Sequence, residues 1–188
     1  TESDWSSDVC SSDLFIDDDD LISTAYLKEL YEKATPDTVS LCYPYAFNDG
    51  HIEKQLPYSI TKAYDYICKH KCKKLSSMVR KYFSGPCMKL IPMSFIHDRR
   101  YDVRFKNGED SLFMFLISDK IKKVAFTSKD ATYYRRYRDN SAYTRGKTKR
   151  EIISNKMSMI RAYISIYLKK PQKYSLFFFI TRLLGTLR

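Results

Sequence analysis

The sequence predicts a mixed α/β fold, a mixed sheet with flanking helices, and three observations predict it. Segments of helical and strand-like apolar period alternate along residues 15–188. At 44% hydrophobic and 15% aromatic residues, the 188-residue chain has the composition to bury one core. Finally, the strand-like pair Phe15-Ile16 runs straight into four carboxylates, Asp17-Asp18-Asp19-Asp20, with a helix-like segment behind them.

The stretch before that pair, TESDWSSDVCSSDL, has no periodicity, no Lys or Arg, and the chain's single Trp. It resembles the translation of a sequencing-library adapter, clearest over residues 4–14, so residues 1–14 are left out of fold reasoning. The expectation is an open-ended fragment starting near Phe15. Its edge strand Phe15-Ile16 would lack sheet neighbours and make the fragment poorly soluble and inactive.

From Phe15 the elements follow in order. Residues 22–34 carry Ala25, Leu27, Leu30, Tyr31 and Ala34 at helical spacing, with Pro36 as the stop. Residues 38–47 are rich in Val, Leu, Tyr and Cys and close on Asn48-Asp49-Gly50, a strand and hairpin-like turn. The helical period returns between Pro57 and Phe83 through Ile60, Ala63, Tyr64, Ile67, Leu75, Met78, Val79 and Tyr82, until Gly85-Pro86 breaks it. Residues 87–91 read as a short strand and residues 95–104 as an irregular stretch with a short helix. Asn107-Gly108-Glu109-Asp110 then opens the apolar run Leu112 to Ile117, placing acids in a first helical turn where the helix dipole favours them. Residues 122–127 and 131–137 read as strands, and residues 149–169 and 171–187 as helices.

The formal net charge is +11, and all four acids of residues 1–14 lie outside the natural chain if that segment is discarded, so the body is more basic still. Such a balance suits a polyanionic partner: nucleic acid, an anionic membrane surface or a phosphate-bearing substrate. Cysteine usage indicates reduced thiols. Cys68 and Cys72 flank His70 but lack a second pair, which argues against structural zinc; they read as i, i+4 neighbours on a buried helix face.

Four adjacent carboxylates repel one another unless a cation or solvent neutralises them, and oxygen-only ligands suit Mg2+ or Mn2+. A solvated acidic turn is the alternative, but such a turn is normally bracketed by polar residues.

The order of FIDDDD, GPCMKLI, GEDSLFMF and YYRRYRDNSAYTR resembles the family 2 glycosyltransferases over residues 15–188. That resemblance implies a nucleotide-diphospho-sugar transferase (GT-A-like) fold and an inverting transfer from a nucleotide-sugar donor, a UDP-sugar, to a saccharide or lipid-linked acceptor, in bacterial surface or capsular polysaccharide synthesis. It implies metal ligation by Asp17, Asp19 and Asp20, with Asp17 nearer the ribose and Asp19 the more direct ligand, and Asp18 at the variable position. Asp110 is implied as general base, with Glu109 shaping the acceptor site. Arg135, Arg136 and Arg138 are implied as a donor-phosphate clamp; Asp139 follows Arg138 where many relatives have Trp, and a solvated basic strand edge is the other reading of these arginines.

The expected domains are residues 15–148, the catalytic part, and residues 149–188, amphipathic helices. The apolar run Leu176 to Ile180 is too short to span a bilayer. With Lys169, Lys170, Lys173 and Arg182 it suits the interface of an anionic membrane, which would place the protein in the cytoplasm at the inner face of the membrane; packing onto the domain or a partner chain is the other reading. A nucleic-acid-binding module would explain the charge and the Tyr/Arg interleaving from Tyr133 to Arg145, but it leaves FIDDDD and GED without a purpose, so no nucleic-acid partner is expected. A noncatalytic membrane-peripheral module built on residues 149–188 is the third class.

Overall fold

Every position of Thr38–Leu41 (β3) is buried, the mark of a strand covered on both faces. The computed structural model describes residues 12–71, 76–105, 107–138 and 148–187. In it β3 is interior to a four-stranded sheet ordered Ser12–Leu14 (β1), Lys89–Pro92 (β6), β3, Lys123–Phe126 (β7). β3 runs parallel to β7 and antiparallel to β6, and β6 is antiparallel to β1. A second sheet is ordered Leu21–Ile22 (β2), Thr132–Tyr137 (β8), Tyr43–Asn48 (β4), His51–Gln55 (β5), with β4 and β8 parallel. The fold is a mixed α/β fold.

Two chain connections join the sheets. β3 passes into β4 through the buried Cys42, whose N–H donates to the Met88 carbonyl at 3.1 Å and whose carbonyl accepts from the Tyr82 hydroxyl at 2.9 Å. Alongside it β7 passes into β8, held where Thr127 N–H donates to the Leu41 carbonyl and Tyr43 N–H to the Ala131 carbonyl. Both crossings therefore keep their backbone groups paired.

Helices cover the sheets with the faces their periods provide. Tyr26–Lys33 (α1) buries Tyr26 and Leu30, one turn apart. Ser59–His70 (α2) buries Ile60, Ala63, Tyr64 and Ile67 and ends at Lys71 in the left-handed region. A 3₁₀ helix spans Val79–Ser84, and Met93–Ile96 (α3) forms one turn. Glu109–Ile117 (α4) is apolar from Leu112 onward and buries Leu112, Phe113, Met114, Phe115 and Ile117, as expected of a helix entering a core. Lys149–Lys169 (α5) starts on a capping box between Thr148 and Glu151. Leu176–Leu187 (α6) folds back on it, Tyr167 stacking on Phe179 at 4.3 Å between ring centroids. Phe115 of α4 meets Tyr163, Tyr174, Phe178 and Phe179, which joins the C-terminal helices to the core.

Several expectations change. The strand expected at Phe15-Ile16 lies one step earlier, at β1, so residues 12–14, set aside above, form an edge strand; Phe15 instead packs edge-on against Tyr101 and Phe113. Leu27 and Tyr31 of α1 are exposed, because the sheet selects Tyr26 and Leu30. Cys68 is exposed rather than on the buried face of α2, and Cys72 lies outside the described residues. The helix expected over residues 171–187 starts at Leu176.

Candidate functional site

The acidic run occupies the loop between β1 and β2, closed by a turn in which Asp20 N–H donates to the Asp17 carbonyl at 3.2 Å. The loop hangs on β8. Asp17 N–H donates to the fully buried Tyr133 hydroxyl at 3.1 Å, and Asp20 accepts the Arg136 N–H on Oδ1 at 2.8 Å. Burial pushes the Asp20 carboxyl up, and the hydrogen bonds from Arg136 N–H and the Tyr133 hydroxyl partly offset this. Asp19 accepts from Arg138 Nη2 at 2.5 Å on Oδ2, while Asp18 is exposed. The Asp17 carboxylate is exposed and accepts only a weak, 3.5 Å contact from Cys87 Sγ.

The second acidic cluster begins α4. Gly108 adopts a left-handed φ of +86° there, and a Cβ on it would lie 3.0 Å from the Met159 Cε of α5, so glycine is required both by conformation and by space. Asp110 is half-buried, and burial raises its pKa, with the charges of Glu109 and Asp17 adding to the shift; Lys89 and Arg135 oppose it. The acids of two distant segments therefore share one electrostatic environment. Glu109 Oε2 is buried without a hydrogen-bond partner.

Between the clusters stands the turn of residues 85–88. Gly85 abuts Asp110, since a Cβ there would sit 3.9 Å from Asp110 Oδ2. Beneath it the fully buried Lys89 donates to the Gly85 carbonyl at 2.6 Å and to the Cys87 carbonyl at 2.5 Å. Burial lowers its amine to about 7. Burial and the Asp17 charge push the Cys87 thiol up to about 11, which makes it a poor nucleophile.

Of the arginines, Arg138 reaches Asp19, and Arg136 joins Asp20 through its backbone and Asp49 through its side chain at 3.7 Å. Arg135 donates to the Tyr58 hydroxyl at 3.2 Å, and its charge is felt at Asp110. Asp139 and the rest of the Tyr/Arg tract to Arg145 lie outside the described residues.

Among the described residues no group of three or more His, Cys, Asp or Glu side chains is gathered to hold a metal ion. What the loop offers is Asp17 and Asp19, an oxygen-only pair. That pair fits Mg2+, which takes one or two carboxylates from a protein and completes its shell with water and substrate phosphate. Asp20 is turned inward and occupied by its backbone partner.

Sequence reasoning missed Lys89, Tyr133 as the anchor of the acidic loop, and Cys87 beside Asp17. A lysine in a strand of otherwise apolar residues was the available signal for the first.

No protein-family model and no curated protein matches the chain. Among solved structures it is similar to S. aureus TarS residues 1–349 in complex with UDP-GlcNAc, with a TM-score of 0.58 and 18% identity over 84% of this chain. The match covers 43% of that structure's chain. This likeness shows the fold alone, a GT-A-like mixed α/β fold.

Proposed function

We propose that this chain carries the transfer site of an inverting nucleotide-sugar glycosyltransferase. The observation that supports it best is the convergence of the acidic loop with Asp110 in a GT-A fold, so close that the Asp17 charge acts on Asp110. Residues 15–148 carry the site, and residues 149–188 form the helices behind it. The donor is a UDP-sugar, for which UDP-GlcNAc, the TarS ligand, is the first probe.

Asp110 accepts the proton of the acceptor hydroxyl as that oxygen bonds to the anomeric carbon, while the bond to the donor diphosphate breaks and leaves its electron pair on the phosphate oxygen. Attack opposite the leaving nucleotide inverts the anomeric centre. Burial favours proton uptake by Asp110, which suits a base. Asp17 and Asp19 would hold Mg2+ or Mn2+, which when bound would supply Lewis-acid stabilisation of a diphosphate leaving group. Asp20 fixes the loop through Arg136 N–H, Arg138 orients Asp19, and Arg135, whose charge acts on Asp110, meets phosphate oxygens.

The test is sugar transfer from UDP-GlcNAc to saccharide acceptors with Mg2+ or Mn2+. Asp110→Asn is expected to lower the rate roughly a hundred- to ten-thousandfold while donor binding, measured by calorimetry, stays as in the parent. Donor binding without any dependence of turnover on Asp110 would reject its assignment as the base.

A second property rests on α6, where Leu176, Phe177, Ile180, Leu184 and Leu187 are exposed along one side. No helix among the described residues is long and apolar enough to cross a membrane. This apolar row beside Lys169, Lys170 and Lys173 supports docking at an anionic bilayer surface, where a lipid-linked acceptor would be presented.

A further inference from the structure

A cavity of about 480 Å³, lined in part by Arg135, opens between α2, the 3₁₀ helix and α6. Its described lining contains Arg80, Lys81, Arg135 and Arg182 and no Asp or Glu. Surface cations are usually interleaved with acids; four cations around one concavity without a counter-charge focus a positive field into it.

Two of the four are partly withdrawn from water without an ionic partner. Arg182 donates through Nη2 to the carbonyls of Phe83 and Arg80, and its Nε is buried and unpaired. Arg80 donates through Nη2 to Ser175 Oγ at 3.3 Å, and its Nε and Nη1 are buried and unpaired. Burial lowers both guanidinium groups from their ordinary value, the signature of a charged form that lacks compensation. The Phe178 ring lies 4.7 Å from Arg182 Cζ and 5.7 Å from Arg80 Cζ, and the Phe177 ring 4.4 Å from Arg80 Cζ. Aromatic faces repay only part of the desolvation of two cations.

We propose that this cavity is a phosphoryl-binding subsite, in which Arg80, Lys81 and Arg182 hold a phosphate group of the acceptor beside the transfer centre. Guanidinium pairs match the geometry of phosphoryl oxygens, and a cavity of this size admits the phosphoryl with part of its organic substituent. Arg135 lines the cavity and its charge also acts on Asp110, which links the cavity electrostatically to the site of proton transfer. The phosphoryl site stands without the sugar-transfer reading; the acceptor as its source rests on that reading.

Calorimetric titration of the full chain with inorganic phosphate tests the site. Binding is expected in the parent and in Asp17→Asn and Asp110→Asn, and is expected to weaken about tenfold or more in an Arg80→Gln/Lys81→Gln double variant. Lys81 is exposed, so Lys81→Gln alone keeps the fold and still weakens binding if the site is real. No phosphate binding, equal binding by the double variant, or displacement of phosphate by UDP would overturn the proposal, the last because the cavity would then serve the donor diphosphate. Vesicles of phosphatidylcholine with phosphatidic acid identify the source: they compete with inorganic phosphate if the phosphoryl is presented on a lipid and leave it bound if the acceptor is soluble. Loss of transfer in Asp110→Asn with phosphate binding intact keeps the two readings separable.

Discussion

Lys89 shows how one residue sets the shape of the site. Its amine is tied to the carbonyls of Gly85 and Cys87, which keeps the turn folded between Asp17 and Asp110. Its folded-state value near 7 stands below the ordinary 10.5, so between these values the unfolded chain binds the extra proton and the folded chain does not. Stability therefore gains from this group as pH rises through that window, and bears the full cost of the buried charge below it. Lys89→Met should flatten that gain, which urea unfolding of parent and variant at pH values spanning the window would reveal as a difference between their slopes. At neutral pH the variant should also lose about 1–3 kcal/mol through two carbonyls left unpaired. Residue identity made the acids legible in the sequence, since FIDDDD and GED are contiguous. Lys89 was less legible: its apolar strand neighbours were the one signal, and a lysine in a short strand reads as solvent-facing until the fold covers it.

At the scale of elements, the start of α4 shows what orients Asp110. The left-handed Gly108 redirects the chain into the helix, and the Met159 side chain of α5 fills the space a Cβ would take. Gly108→Ala should cost about 1–2 kcal/mol from the backbone alone, with more from displacing Met159, and should lower transfer because Asp110 shares the disturbed turn. Thermal unfolding and a rate measurement check the two parts. The start and end of α4 were legible in its first-turn acids and in the apolar run to Ile117, and α5 was expected over the residues it occupies. The choice of Tyr26 and Leu30 over Leu27 and Tyr31 in α1 did not, because two rows of the same helix are apolar and only the sheet decides which one it covers. Likewise β1 was missed because residues 1–14 were set aside for their lack of periodicity, whereas the pairing of Ser12–Leu14 comes from the waiting edge of β6.

At the scale of the whole molecule, charge and apolar surface combine at one end. The α6 row Ile180, Leu184 and Leu187 is exposed beside a basic segment in a chain of net charge +11. Flotation with anionic vesicles should recover the protein, added salt should weaken its binding by screening, and Leu184→Glu with Leu187→Glu should release most of it. Vesicle binding that is unchanged by the double substitution would place the contact elsewhere. The fold class was legible as alternation of elements, yet the division into two sheets was not, because Cys42 is an ordinary apolar residue within one strand-like run and only its hydrogen bonds to Met88 and Tyr82 mark the crossing.

The acidic loop near one end of the chain is fastened to the last strand of the other sheet, Asp17 to Tyr133 and Asp20 to Arg136, and the parallel ladders pair Thr38 with Lys123 and Tyr43 with Thr132. Such distant pairings close slowly, because the intervening chain loses its freedom before the contacts reward it. Helices α2 and α5 are local and form without them. A refolding chain thus regains much of its helix before it owns a site, and the two acidic clusters stay apart and harmless until its most remote partners have met.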